Sequence, residues 1–79
     1  SLPLHATLAK ARKRLGRSQE EMAADVGVSQ VTISSWESEV DGTRVSPRAD
    51  RVEAIARAYQ LDPEVVWALW RRSVRSRAA

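Results

Sequence analysis

Residues 19–38 read QEEMAADVGVSQVTISSWES. Met22, Val26, Val28, Ile33 and Trp36 are apolar and fall at helical steps. Ala23 is small, which suits a place where two helices cross closely. Gly27 stands where the chain must turn sharply, a position that favours a residue tolerant of positive φ. One residue upstream, Ser18-Gln19-Glu20-Glu21 is a Ser-x-x-Glu capping box that opens a helix. Ser29 is a cap for the next helix, whose inward residues are Ile33, Trp36 and Val40.

Helical punctuation continues on both sides. Upstream, Leu4, Leu8, Ala11 and Leu15 form a stripe that Gly16 stops. Downstream, residues 40–45 read as a loop with Asp41-Gly42 as its turn signal. Ser46-Pro47 then caps and opens a fourth helix with the stripe Val52, Ile55, Ala56 and Tyr59. Asp62-Pro63-Glu64 repeats that start signal for a fifth helix, in which Val66, Leu69 and Trp70 face inward. There is no Phe, a single Tyr, and no convincing alternating apolar run. The expectation is an all-α fold of five short helices, one domain over residues 1–76, followed by a basic tail at 77–79.

Composition narrows the function. The chain has 79 residues and no cysteine, so neither disulfides nor thiolate metal sites support its small core. That suits a reducing cytosol. No apolar run approaches the roughly 20 residues that span a bilayer, and the start lacks a charged-then-apolar signal pattern. Net charge is +3 and unevenly placed. Residues 1–39 balance five basic against five acidic side chains, whereas residues 40–79 carry eight Arg and no acid after Glu64. The preference for Arg over Lys fits phosphate recognition, or equally a GC-rich genome. No Ser/His/Asp set, Gly-rich phosphate loop or metal cluster is present. His5 stands alone without partner ligands, and Asp50 with Glu53 reads as a charged helix face. The sequence makes no case for an enzyme, a metal or a cofactor.

At 100° per residue, Ile33, Trp36, Glu37 and Val40 share one side of the third helix, and Gln30, Val31, Ser34, Ser35 and Ser38 share the other. The outer side is short and uncharged. Two helices of about eight residues, joined by a tight turn containing Gly, describe a helix-turn-helix. The stretch RSQEEMAADVGVSQVTISSWE, residues 17–37, with Pro47, Ile55, Ala56, Tyr59 and Leu61 beyond it, resembles the DNA-binding domain of the phage repressor and Cro family, the Xre-type regulators. The likeness covers residues 8–66.

That resemblance implies a five-helix, lambda-repressor-like domain whose third helix, about residues 30–39, reads the DNA major groove. Short side chains let such a helix lie deep in the groove. Gln30 would pair with adenine N6 and N7, Val31 would touch a thymine methyl, and Ser34 and Ser35 would bond bases directly or through water. Gln19, Ser29 and Thr32, and from the loop Thr43, Arg44 and Arg48, would meet phosphates, which set register rather than sequence. By analogy with some relatives, Arg12 and Glu37 would form a partly buried salt bridge that fixes the reader helix. For each of these residues a plainer reading stands beside the functional one, as cap, core or solvated surface.

Three features depart from the family pattern. Arg17 occupies a position that is usually apolar, the loop from Glu37 to Pro47 is a few residues longer, and the last helix carries Trp67, Trp70 and Val74 beyond the needs of one core face. Trp67 and Val74 suit a dimer surface or simple edge packing. Arg71, Arg72, Arg75 and Arg77 suit phosphate contact or a lead into a further domain. The implied function is that of a sequence-specific regulator of double-stranded DNA, a repressor acting as a homodimer in the cytoplasm of a bacterium or a phage-infected cell, with RNA polymerase as a further contact. An antitoxin autorepressor, or a protein-interaction module that keeps the fold, are the alternatives.

Overall fold

A computed structural model describes residues 2–78 of the chain, with side chains through Arg75. The side chain of Arg77 and the last residue of the expected 77–79 tail lie outside the described residues. The helices are α1 (Leu4–Arg14), α2 (Gln19–Val26), α3 (Gln30–Glu37), α4 (Val52–Ala58) and α5 (Pro63–Ala78), with a 3-10 turn at Ala49–Arg51 leading into α4. The architecture is all-α, and no strand occurs among the described residues.

Each boundary has a local cause. The capping box is complete: the Glu21 N–H donates to Ser18 Oγ at 3.0 Å and the Ser18 N–H to Glu21 Oε1 at 2.8 Å. The Ser18 backbone N–H, and after it the Ser18 hydroxyl, lower the Glu21 carboxyl from its ordinary pKa. Gly27 ends α2 in the left-handed region, φ 89°, and the Gly27 and Val28 N–H groups both close on the Ala23 carbonyl. A Cβ at Gly27 would meet only Arg51 Nη1 at 3.9 Å, so the requirement there is conformational rather than steric. Ser29 caps α3 by accepting from the Thr32 N–H at 3.2 Å. Asp62 Oδ1 accepts from the Glu64 N–H at 2.9 Å, and Pro63 takes the first position of α5.

The core gathers Leu8 from α1, Met22 from α2, Ile33 from α3, Val52 and Ile55 from α4, and Val66 from α5. Ala23 is buried as well, and α2 lies closely along α3. Tyr59, the C-cap of α4, is almost fully enclosed.

Three expectations need correction. Val40 does not continue the inner side of α3. The helix stops at Glu37, Ser38 is extended, and Val40 is 62% exposed. The cause is local competition for the backbone: Ser38 Oγ accepts from the Val40 N–H at 3.1 Å and pairs with the Thr43 hydroxyl at 2.7 Å, favouring a loop over another helical turn. Nor does Ser46-Pro47 open the fourth helix. Ser46 hydrogen-bonds Ser73 of α5 at 2.7 Å, and the carbonyl of the buried Pro47 accepts from Trp70 Nε1 at 2.6 Å. These contacts pin the segment extended across α5, and regular helix begins only at Val52. Trp70, expected in the core, is half-buried for the same reason: its indole N–H needs a polar partner at the edge.

Candidate nucleic-acid interface

α2 and α3, eight residues each, are joined through Gly27, Val28 and Ser29. Ile33, Trp36 and Glu37 are buried, and they leave one side of α3 open. On that side Gln30 and Ser34 are exposed, Val31 is 69% exposed, and Ser35 is half-buried. None of the four carries a charge. The Ser35 carbonyl accepts from the Val45 N–H at 3.2 Å, tying the end of α3 to the following loop.

Gln19 and Gln30 lie at the first positions of α2 and α3 and meet side chain to side chain. Gln30 Nε2 donates to Gln19 Oε1 at 2.7 Å, and Gln19 Nε2 reaches Glu37 Oε1 at 3.4 Å. Ser29 and Thr32 share a hydroxyl contact of 2.9 Å beside them.

Glu37 is 7% exposed and is the buried anchor of this end. Arg12 Nε donates to both of its oxygens at 3.0 Å, and Arg12 Nη2 lies 2.9 Å from Oε1. The remaining Arg12 donor, Nη1, reaches the Arg17 carbonyl at 3.0 Å, so the guanidinium also ties down the turn after α1. Its bond to Glu37 raises the already high Arg12 pKa. Tyr59 completes the cluster, its hydroxyl donating to Glu37 Oε2 at 2.8 Å. Burial, with the adjacent Glu37 charge, pushes the phenol far above its ordinary pKa, so it remains a donor. Sequence reading placed Tyr59 in the core and missed this contact. The available signal was general: a buried tyrosine hydroxyl needs a polar partner, and Glu37 was the acid on an inward face.

Arg17, the departure from an apolar pattern, lies in the α1–α2 turn and pairs at 2.6 Å with Asp25 near the end of α2. In the loop, Thr43 Oγ1 bonds Ser38 Oγ and also reaches the Val40 carbonyl at 3.1 Å. Arg44 donates to the Ser38 carbonyl at 3.0 Å and to Asp41 Oδ1 at 2.7 Å, and a phosphate would have to compete with both. Arg44 lines a groove with Pro3, His5, Leu69 and Arg72. Partial burial, with Arg44 second, lowers the His5 pKa. Arg48 is exposed, just before the 3-10 turn. On α5, Trp67 packs edge-on against Trp70, ring centres 5.5 Å apart, with the Arg71 guanidinium 5.8 Å from the Trp67 ring centre, while Val74 is exposed.

Among the described residues no helix is long and apolar enough to cross a membrane, and no group of His, Asp or Glu is arranged to hold a metal. A family model described as helix-turn-helix matches residues 8–66, most of the chain. Searches of curated proteins and of solved structures gave no match.

Proposed function

The chain belongs to the helix-turn-helix family of DNA-binding regulators, of the phage repressor and Cro type, and on that premise we propose that it reads a specific sequence in double-stranded DNA and represses transcription there. The observation that carries the reading is the open, uncharged side of α3, where Gln30, Val31 and Ser34 are exposed and Ser35 is half-buried. Their compact, uncharged side chains let the helix descend into the major groove, where base edges present distinct donor and acceptor patterns. Gln30 pairs with adenine, Val31 lies against a thymine methyl, and Ser34 and Ser35 bond bases directly or through water.

Gln19, Ser29, Thr32, Thr43 and Arg48 contact phosphates on either side of α3, and Arg44 joins them by exchanging Asp41 for phosphate. The Arg12–Glu37 pair fixes α3 against α1, a role in placement rather than in net stability. Trp67 and Val74 of α5 form the surface on which two copies meet, so that paired half-sites lie about 10 bp apart, one helical turn. Repression follows from covering a promoter.

Selection from random duplexes tests this directly. The expected outcome is one recovered motif with two-fold symmetry; recovery of no motif would sink the reading. Val74→Asp should abolish cooperative filling of the two half-sites while leaving binding to an isolated half-site intact. Unchanged cooperativity would remove α5 from the dimer contact.

A further inference from the structure

Three parts of the chain wall a groove of about 140 Å³. Pro3, Leu4 and His5 come from the start of α1, Arg44 from the long loop, and Leu69, Arg72 and Ser73 from one stripe of α5. The walls are held in place: Ser46 pairs with Ser73 at 2.7 Å, and Arg44 donates to the Ser38 carbonyl at 3.0 Å. Leu4 is buried and Leu69 half-buried, so part of the lining is apolar.

The charge of the lining has one sign. It includes two arginines, and among the described residues no acid lines it. The Arg44 side chain is only 25% exposed, whereas that of Asp41, its partner, is 92% exposed. The Asp41 carboxylate is therefore well solvated and a weak competitor for the guanidinium. Burial first, and then the Arg44 charge, lower the His5 pKa, and together they outweigh Glu39 and Asp41, which raise it. The imidazole is thus neutral at pH 7 and carries one N–H to donate.

We infer that this groove binds a small monocarboxylate with a compact apolar body, about the size of benzoate, and that its occupation weakens DNA binding by engaging Arg44. Arg44 and Arg72 supply planar forks that match a carboxylate, while Pro3, Leu4 and Leu69 cover the apolar body. A cavity of roughly 150 Å³ accepts benzene, so the volume suits one ring. The effect on DNA rests on the phosphate role proposed for Arg44, since a guanidinium engaged by a bound carboxylate is less available to a phosphate. The coupling is reciprocal, so DNA weakens carboxylate binding by the same factor.

His5 is the only histidine, and its imidazole proton signals report on the groove directly. At constant ionic strength, benzoate should move them along a saturable curve with a midpoint on the order of 1 mM. Benzamide keeps the ring and lacks the charge, and inorganic phosphate keeps the charge and lacks the ring; each should bind about tenfold more weakly. Arg72→Gln, its fold checked by circular dichroism, should weaken benzoate about threefold to tenfold. Benzoate in place of chloride should lower duplex affinity about fivefold, equally on selected and random sequences, because the Arg44 contact is with phosphate. At the same benzoate concentration that drop should shrink in Arg72→Gln.

A His5 response that never saturates would overturn the site. Equal binding of phosphate would leave a general anion patch, and equal binding of benzamide an apolar crevice; either overturns the carboxylate assignment. Should Arg72→Gln fail to fold, these comparisons on the wild-type protein decide alone. Benzoate that saturates the groove and leaves duplex affinity unchanged overturns the coupling to DNA. A wild-type protein that binds no duplex would instead overturn the regulator reading, and the groove would then stand or fall by its His5 response.

Discussion

Gln30 is where the chemistry of single residues concentrates. Gln30→Ala should cost about 1–3 kcal/mol on the preferred duplex and relax one base position, as measured by titration against duplexes varied at each position. The same loss on random duplex would mean that Gln30 touches no base. The open side of α3 was legible in the sequence because 100° geometry separates Ile33, Trp36 and Glu37 from Gln30 and Ser34 without knowledge of any neighbour. The arrangement behind it was not. Tyr59 meets Glu37 across 22 residues of chain, and Gln30 meets Gln19 across 11, so no local pattern encodes either contact. The Arg12–Glu37 pair was expected only by likeness to relatives; spacing alone gives no reason to join residues 25 apart.

Among the elements, α2 is the most fully specified by its own residues. Ser18→Ala removes the hydroxyl half of the capping box and should cost about 1 kcal/mol in urea denaturation. Glu21 adds a pH signature. Its carboxyl titrates lower in the folded chain than in the unfolded one, so its contribution is present above the unfolded value and is lost as pH falls through the folded one. The end of α4 is less well suited to its residue. Gln60 lies in the left-handed region, φ 53°, and the Leu61 N–H closes on the Ala56 carbonyl at 2.8 Å. That geometry ordinarily selects glycine, so Gln60→Gly should stabilise the domain by about 0.5–1 kcal/mol, seen as a higher Tm. An unchanged or lower Tm would show that the unfolded chain gains as much freedom as the fold loses strain. Helix starts at Ser18, Ser29 and Asp62 were readable because each cap acts within four residues. The start of α4 was misread because Ser46 and Pro47 answer to Ser73 and Trp70, which lie 27 and 23 residues away.

For the molecule as a whole, affinity for DNA depends on where its cations stand. Each phosphate neutralised by a protein cation contributes about 0.9 to the slope of log K against log salt. Arg48→Ala should make that slope shallower by about this amount. Arg44→Ala should do so by less, because Asp41 already holds its guanidinium. A slope unaltered in Arg48→Ala would remove Arg48 from the phosphate contacts. The five-helix plan was readable from side-chain spacing, whereas the placement of the long loop was not, since Arg44 is directed by Ser38 and Asp41 rather than by helix register. The distribution of indoles gives the protein two separate optical reporters. Trp36 is 5% exposed beneath α3, so its emission is shielded from aqueous quenchers. Trp67 and Trp70 sit half-covered on α5, and iodide should quench them first. Pairing of two copies through α5 would then protect the second population and leave the first unchanged, so assembly can be followed with no label added to the chain.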